Sequence, residues 1–246
     1  MTVFTYNRDA RIAAAAGALR ARRGAARIHI LPIPTKDTEG LAAALLPALR
    51  AEDAVFSYAV PPSLKEKLEA RGARLFDTAE DEIFIEENAT LTAEATLGLM
   101  LGLPLSPRDL SVGIIGYGRI GRALCRMLLF LGARVRIFTA REALREALGS
   151  EGIESRPIGY AEGEALDLFG LDLLIQTAPA RIITRENAPP CPLWNLAAAG
   201  YIGEGVAVRQ LSALPARISY ESGGKALMRA VLRKLENDSK NERIPL

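Results

Sequence analysis

Residues 111–121 read Ser111-Val112-Gly113-Ile114-Ile115-Gly116-Tyr117-Gly118-Arg119-Ile120-Gly121. Gly116, Gly118 and Gly121 form a Gly-x-Gly-x-x-Gly pattern, weak alone, but here it follows an apolar strand and opens a helix. In that setting the first glycine permits a tight turn, the second lets backbone approach a pyrophosphate, and the third lets helix and strand pack closely. The helix start adds free N–H groups and a positive dipole end. The helix is marked by Ile120, Leu124, Met127, Leu128 and Leu131, with Gly132 where it should stop. A second strand follows at 134–138.

This motif predicts a dinucleotide-binding domain, and the rest of the chain fits an α/β protein. Before it, the spacing predicts strands at 3–5, 28–31, 53–58 and 73–76. Helices are expected at 8–23, 38–50 despite Pro47, and 62–70. A helix at 90–101, capped by Thr90, leads to Gly102, Pro104 and Pro107, a natural interdomain link. After the loop come a helix at 141–148, strands at 153–156, 171–176 and 192–196, and a short helix at 162–168. Ala216–Ser219 is expected as a last strand. Gly223 and Gly224 open a terminal helix over 225–235, with a frayed polar tail from Asn237. The fold class is therefore α/β, with two α/β domains, the second a Rossmann-type doubly wound parallel sheet. Residues 1–88, with helix 223–237, form a flavodoxin-like substrate-side domain. Residues 89–103 form a linker helix, and 104–220 the dinucleotide domain.

Composition narrows the function. Lys and Arg number 31 against 29 Asp and Glu, a net charge of +2, so charge alone drives no nucleic-acid binding. Two cysteines give neither a disulfide framework nor a zinc site, and no metal ligand set stands out. No apolar run reaches the ~18 residues of a membrane span, and no leader is visible at Met1, so a cytoplasmic protein is expected. His29 is the single histidine and alternates within a strand, the pattern of a structural residue. Cys125 falls on the apolar face of its helix. Arg20, Arg22, Arg23 and Arg27 read as solvated charges, as do the acidic runs at 80–82 and 86–87.

Cofactor choice is read at the end of the second strand. An NAD site places an acid there for the ribose 2′-OH. This chain has Thr139-Ala140-Arg141, and the forked donors of Arg141 suit a 2′-phosphate. NADP is the expected cofactor. Adjacent Glu142 leaves NAD open. Thr177-Ala178-Pro179 follows the fourth strand and should lie against the cofactor. The expected cofactor residues are Gly116, Tyr117, Gly118, Arg119, Ile120, Gly121, Thr139, Ala140, Arg141, Thr177, Ala178 and Pro179.

A resemblance covers most of the chain. Asn88-Ala89-Thr90-Leu91-Thr92-Ala93-Glu94 resembles the Asn-Ala-x-x-Thr-Ala-Glu-Gly segment of the dipicolinate synthase family, in its A component, with Ala95 in place of Gly. The 116–121 loop resembles that family's Gly-x-Gly-Arg-x-Gly, and Thr139-Ala140-Arg141 its Ala-Arg. Gln176-Thr177-Ala178-Pro179-Ala180 is similar to its Asn-Thr-x-Pro-Ala. The resemblance implies oxidation of dihydrodipicolinate, or a similar cyclic dicarboxylate, to dipicolinate for bacterial spores. It also implies a flavoprotein-like second subunit, and it leaves room for a homo-oligomer. Candidate substrate ligands are then Asn88, Thr92 and Arg217, and candidate catalytic groups are Glu94 and Asn195. Alternatives are a binding-only nucleotide protein or scaffold, and an enzyme of the D-2-hydroxyacid dehydrogenase type. The latter needs a histidine in its cofactor domain, and none follows residue 29.

Overall fold

A computed structural model describes all residues except 25, 37, 160–164, 198 and 242–246, and lacks described side chains at 199 and 239–241. The chain divides into two compact units. One comprises residues 1–91 with 215–246, and the other residues 92–214.

The first unit holds four parallel strands: β1 (Thr2–Thr5), β2 (Arg27–Ile30), β3 (Ala54–Ser57) and β4 (Arg74–Asp77). They lie in the order β1-β2-β3-β4. This order differs from the flavodoxin-like expectation, in which the first strand lies between the second and the third (2-1-3-4-5); here the second lies between the first and the third. Successive side chains on a strand face opposite sides. Ile28, Ile30, Ala54 and Phe56 therefore meet Ile12, Ala15 and Leu19 of α1 (Ala10–Arg20) on one face. Leu31 and Val55 meet Leu41 and Leu45 of α2 (Glu39–Leu45), and Leu64 and Leu68 of α3 (Pro62–Glu69), on the other. Helix α2 stops before Pro47, short of the expected 38–50, because proline has no N–H to continue the ladder.

Helix α4 (Glu82–Met100) starts eight residues before the expected Thr90 cap. Glu80, Glu82 and Glu86 are exposed, as expected of a solvated face, and Asp81 is the exception. Asp81 is 7% exposed, accepts from the N–H of Phe84 at 3.0 Å, and receives both 3.1 Å bonds from Arg233. Arg233 belongs to the terminal helix, α8 (Tyr220–Asn241), which also begins earlier than expected. Gly223 and Gly224 lie inside α8 instead of opening it. A β-carbon on Gly224 would stand 2.6 Å from that of Ala14 and 2.9 Å from the Arg11 carbonyl oxygen. Glycine thus lets α8 press against α1, where Ala226, Leu227, Ala230 and Val231 complete the core. The tail from Asn237 does not fray at once, as the sequence predicts; it is helical through Asn241, with Asp238 paired to Arg74 at 2.5 Å.

The second unit holds six parallel strands: β5 (Ser111–Ile115), β6 (Arg134–Phe138), β7 (Glu154–Arg156), β8 (Leu173–Gln176), β9 (Leu193–Asn195) and β10 (Arg209–Gln210). Their order is β10-β9-β8-β5-β6-β7. The chain builds outward from β5 in one direction, then restarts at β8 in the other. This is the doubly wound order of dinucleotide-binding folds, with its switch point between β5 and β8. Leu124, Cys125 and Leu128 of α5 (Arg119–Phe130) and Leu148 of α6 (Glu142–Ser150) cover one face with Val112, Ile114 and Ile175. Phe138, Leu174, Ile182 and Ile183 fill the other. Cys125 is a core residue, as expected, and burial pushes its thiol up to about 11.

Ala216–Ser219 is not the last strand. A short helix, α7 (Leu214–Arg217), takes residues of that segment, and β10 lies upstream. The helix expected at 162–168 falls partly outside the described residues, and 165–168 are not helical. Among the described residues, no helix is long and apolar enough to cross a membrane, and no three His, Cys, Asp or Glu side chains form a metal cluster.

Candidate functional site

The switch point is a cavity of about 200 Å³. Three turns build it: 115–118 after β5, 138–141 after β6, and 177–179 after β8. Gly116 anchors the first, donating its N–H to the Phe138 carbonyl at 2.9 Å. Its φ of +94° belongs to glycine, and a β-carbon would stand 3.0 Å from Thr177 Oγ1 and 3.1 Å from Ala178 Cβ. A β-carbon on Gly121 would meet the Gly116 carbonyl oxygen at 2.3 Å. Gly121 thus lies beneath the loop, inside α5, and sets how closely helix and strand approach. Gly118 is the N-cap of α5 and offers no side chain to the first turn. That first turn also carries no acid. Its N–H donors and dipole favour an anion.

Thr177 ties the third turn to the first. Its backbone N–H and its hydroxyl both donate to the Ile115 carbonyl, at 2.9 and 3.0 Å. Gln176, fully buried, shapes the same turn from below. Its amide nitrogen donates to the carbonyls of Ala178 (3.3 Å), Ala180 (2.9 Å) and Tyr201 (3.1 Å). An asparagine would be one methylene too short to span them. Nothing in the spacing of the sequence marks this role.

At the end of β6, Thr139 Oγ1 accepts from the Arg141 N–H at 3.3 Å. Arg141 is exposed at the N-cap of α6, and its Nη2 lies 3.4 Å from the Tyr117 carbonyl. Arg141 is the charged residue of the cavity wall, and no carboxylate lines it among the described residues. Ile158 and Ile182 add an apolar wall that motif reading misses, since each stands outside the three turns. Tyr117 also lines the cavity, and burial raises its phenol.

Nine of the expected cofactor residues therefore sit on this wall: Gly116, Tyr117, Gly118, Thr139, Ala140, Arg141, Thr177, Ala178 and Pro179. Arg119, Ile120 and Gly121 belong to the first turn of α5. The expected substrate and catalytic residues do not line it. Asn88 accepts from Arg11 at 3.4 Å in the first unit, and Arg217 ends α7, exposed. Thr92 is buried on α4, and Glu94 is exposed there. Asn195 is fully buried. Its Nδ2 donates to Gln210 Oε1 at 2.8 Å and its Oδ1 accepts from the Ala197 N–H at 3.0 Å. That engagement pins β10 to β9 and uses both ends of the amide.

No known protein family and no curated protein matches the sequence. Solved structures share its fold. The A component of dipicolinate synthase from Bacillus halodurans superposes with a TM-score of 0.69 at 19% identity, over 85% of this chain and 79% of that one. Its counterpart from Bacillus subtilis gives 0.69 at 20% identity, over 88% and 79%. A transhydrogenase from Sinorhizobium meliloti gives 0.61 at 19% identity, over 85% and 74%. The chain thus shares its fold with these proteins, and the likeness to the A component of dipicolinate synthase expected from the motifs is present in three dimensions.

Proposed function

We propose that this chain is an oxidoreductase that binds a nicotinamide dinucleotide at the switch point and oxidises dihydrodipicolinate or a related cyclic dicarboxylate. The observation that carries the reading is the bare-backbone cradle. The Gly121 position has no room for a side chain, the Gly116 position little, and the cavity above them opens at the carboxyl ends of β5, β6 and β8. Ligands of doubly wound sheets bind at that edge.

The residues present fit such a cofactor. The first turn of α5 would take the pyrophosphate, and Ile158 and Ile182 would flank the adenine. Arg141 would pair with a 2′-phosphate, which favours NADP over NAD. When bound, the nicotinamide supplies a hydride acceptor. The chain's part is to hold and orient it. The 88–94 and 176–180 segments support a dipicolinate-type substrate, which would lose a hydride and a proton to become aromatic.

A binding-only role is favoured by one observation, the closed amide of Asn195. One experiment separates the two. The chain is titrated with NADPH and NADH by fluorescence, then assayed with dihydrodipicolinate. Binding with turnover supports the enzyme. Binding without turnover of any cyclic dicarboxylate supports the binding-only protein. Binding of neither nucleotide overturns both.

A further inference from the structure

The first unit has a second cavity, of about 630 Å³, at the carboxyl ends of β1 and β2. Its wall includes Tyr6, Pro32, Pro34, Lys36, Thr38 and Leu41. Among the described lining residues, Lys36 is the charged one, and it is exposed. The described lining residues thus carry one cation and no anion, which favours a negatively charged ligand.

Behind Tyr6 runs a chain of buried polar groups. Tyr6 Oη lies 2.5 Å from His29 Nδ1, and His29 Nε2 lies 2.9 Å from Asp53 Oδ2. His29 is fully buried and Asp53 is 3% exposed. The partners fix the protons. Burial alone would raise the Asp53 carboxyl. The Arg50 N–H, His29 and the Arg27 guanidinium outweigh burial and hold it low, so it is an acceptor. Burial keeps His29 neutral against the pull of Asp53. Nε2 therefore carries the imidazole proton, Nδ1 accepts, and the Tyr6 hydroxyl donates to it. Burial also pushes the phenol up to about 12, so Tyr6 keeps its proton. Phe4 stacks on the imidazole at 4.6 Å between ring centres and holds its plane.

This places an Asp–His pair behind a hydroxyl, the arrangement that lets a hydroxyl pass its proton inward. Here the hydroxyl belongs to a residue that also lines the cavity. We propose that this cavity binds a small carboxylate-bearing molecule through Lys36, and that Tyr6 exchanges a proton with it by way of His29. The ligand enters with one carboxyl still protonated; that O–H bond breaks and its proton goes to Tyr6 Oη as Tyr6 gives its own to His29 Nδ1, leaving the ligand with one more negative charge. The resulting imidazolium is held by the Asp53 carboxylate. The proton returns along the same path when the ligand leaves. No redox partner is involved, and the inference does not rest on the dinucleotide reading.

With one histidine in the chain, imidazole nitrogen signals belong to His29 alone. The test uses the full chain with ¹⁵N-labelled histidine, titrated with malonate, pyridine-2,6-dicarboxylate and the neutral pyridine-2,6-dicarboxamide. The free chain should show the Nε2–H tautomer. At least one dicarboxylate should bind and shift Nδ1, and the diamide should not. Lys36→Gln should weaken dicarboxylate binding about tenfold, the loss of one charge-assisted contact. Tyr6→Phe should remove the Nδ1 response. No binding of either dicarboxylate at millimolar concentration, or a Nδ1 response that survives Tyr6→Phe, overturns the proposal. Should Tyr6→Phe fail to fold, equal dicarboxylate affinity in Lys36→Gln and the parent overturns it instead. NADPH titrations run beside these separate the readings: lost cofactor binding with an intact His29 response removes only the dinucleotide site.

Discussion

Gly118, at the N-cap of α5, and Gly121, in its first turn, lie three residues apart, yet the space around them differs. A β-carbon on Gly118 meets nothing within 4 Å, and one on Gly121 meets the Gly116 carbonyl oxygen at 2.3 Å. The two positions should therefore fail differently. Gly118→Ala should fold with an unchanged melting temperature and lose dinucleotide affinity about tenfold or more, because the added methyl fills only ligand space. Gly121→Ala must push helix from strand, and should lose both affinity and about 1–3 kcal/mol of stability. Thermal melts beside NADPH titrations check this. Equal loss of stability in both variants contradicts it.

Arg141 decides between the two nicotinamide cofactors. Arg141 lines the cavity, and among the described residues no acid lines it. Arg141→Glu should lower NADPH affinity relative to NADH about tenfold or more, by replacing a charge-assisted pair with repulsion. An unchanged ratio of the two dissociation constants removes the 2′-phosphate role.

Asp81 does two jobs in the first unit. It caps α4 and pairs with Arg233 on α8. Asp81→Ala should cost about 2 kcal/mol, and Asp81→Asn less, since the amide still caps. Urea unfolding of the variants measures the difference. A loss in Asp81→Asn as large as in Asp81→Ala assigns the stability to the ion pair.

Stability should fall as the solution is acidified from neutrality. His29 is held below the free imidazole value of 6.5, first by burial. Its share is fully present above 6.5 and is lost as pH falls through the lower folded value, because the unfolded chain binds the proton first. Burial would raise Asp9 and Asp53; their hydrogen bonds and the Arg11 and Arg27 pairs win and hold both below 3.8. Their share is lost at still lower pH. Urea midpoints between pH 7 and 5 should decline in the parent and decline less in His29→Gln.

The glycine loop is legible in the sequence because each glycine stands at a fixed step from an apolar strand and an amphipathic helix. The turn after β8 is legible as far as Thr177. The clamp by Gln176 is not, since its acceptors include Tyr201, 25 residues on. Distance in sequence also hides the first-unit network: His29 reads as an ordinary alternating strand residue, and its partners lie 23 and 24 positions away. The start of α4 escapes the pattern because charged residues at 80–82 conceal a cap whose partner, Arg233, is 152 positions distant. Two-residue β10 shows no periodicity at all. Its place is fixed by Asn195 and by Arg209, whose guanidinium lies 5.0 Å from the centre of the Trp194 ring.

The unit assembled from two separate stretches has a consequence for synthesis. Residues 92–214 leave the ribosome as one uninterrupted stretch and hold all six strands of their sheet. The apolar side of α1 emerges before that stretch, and its covering residues, Ala226 to Val231, emerge after it. That surface stays bare while the whole of the second unit is made, and the long-range pairing that closes it comes late. Nascent chains halted before residue 215 should therefore draw chaperones to α1, and elongation past Val231 should end that attraction.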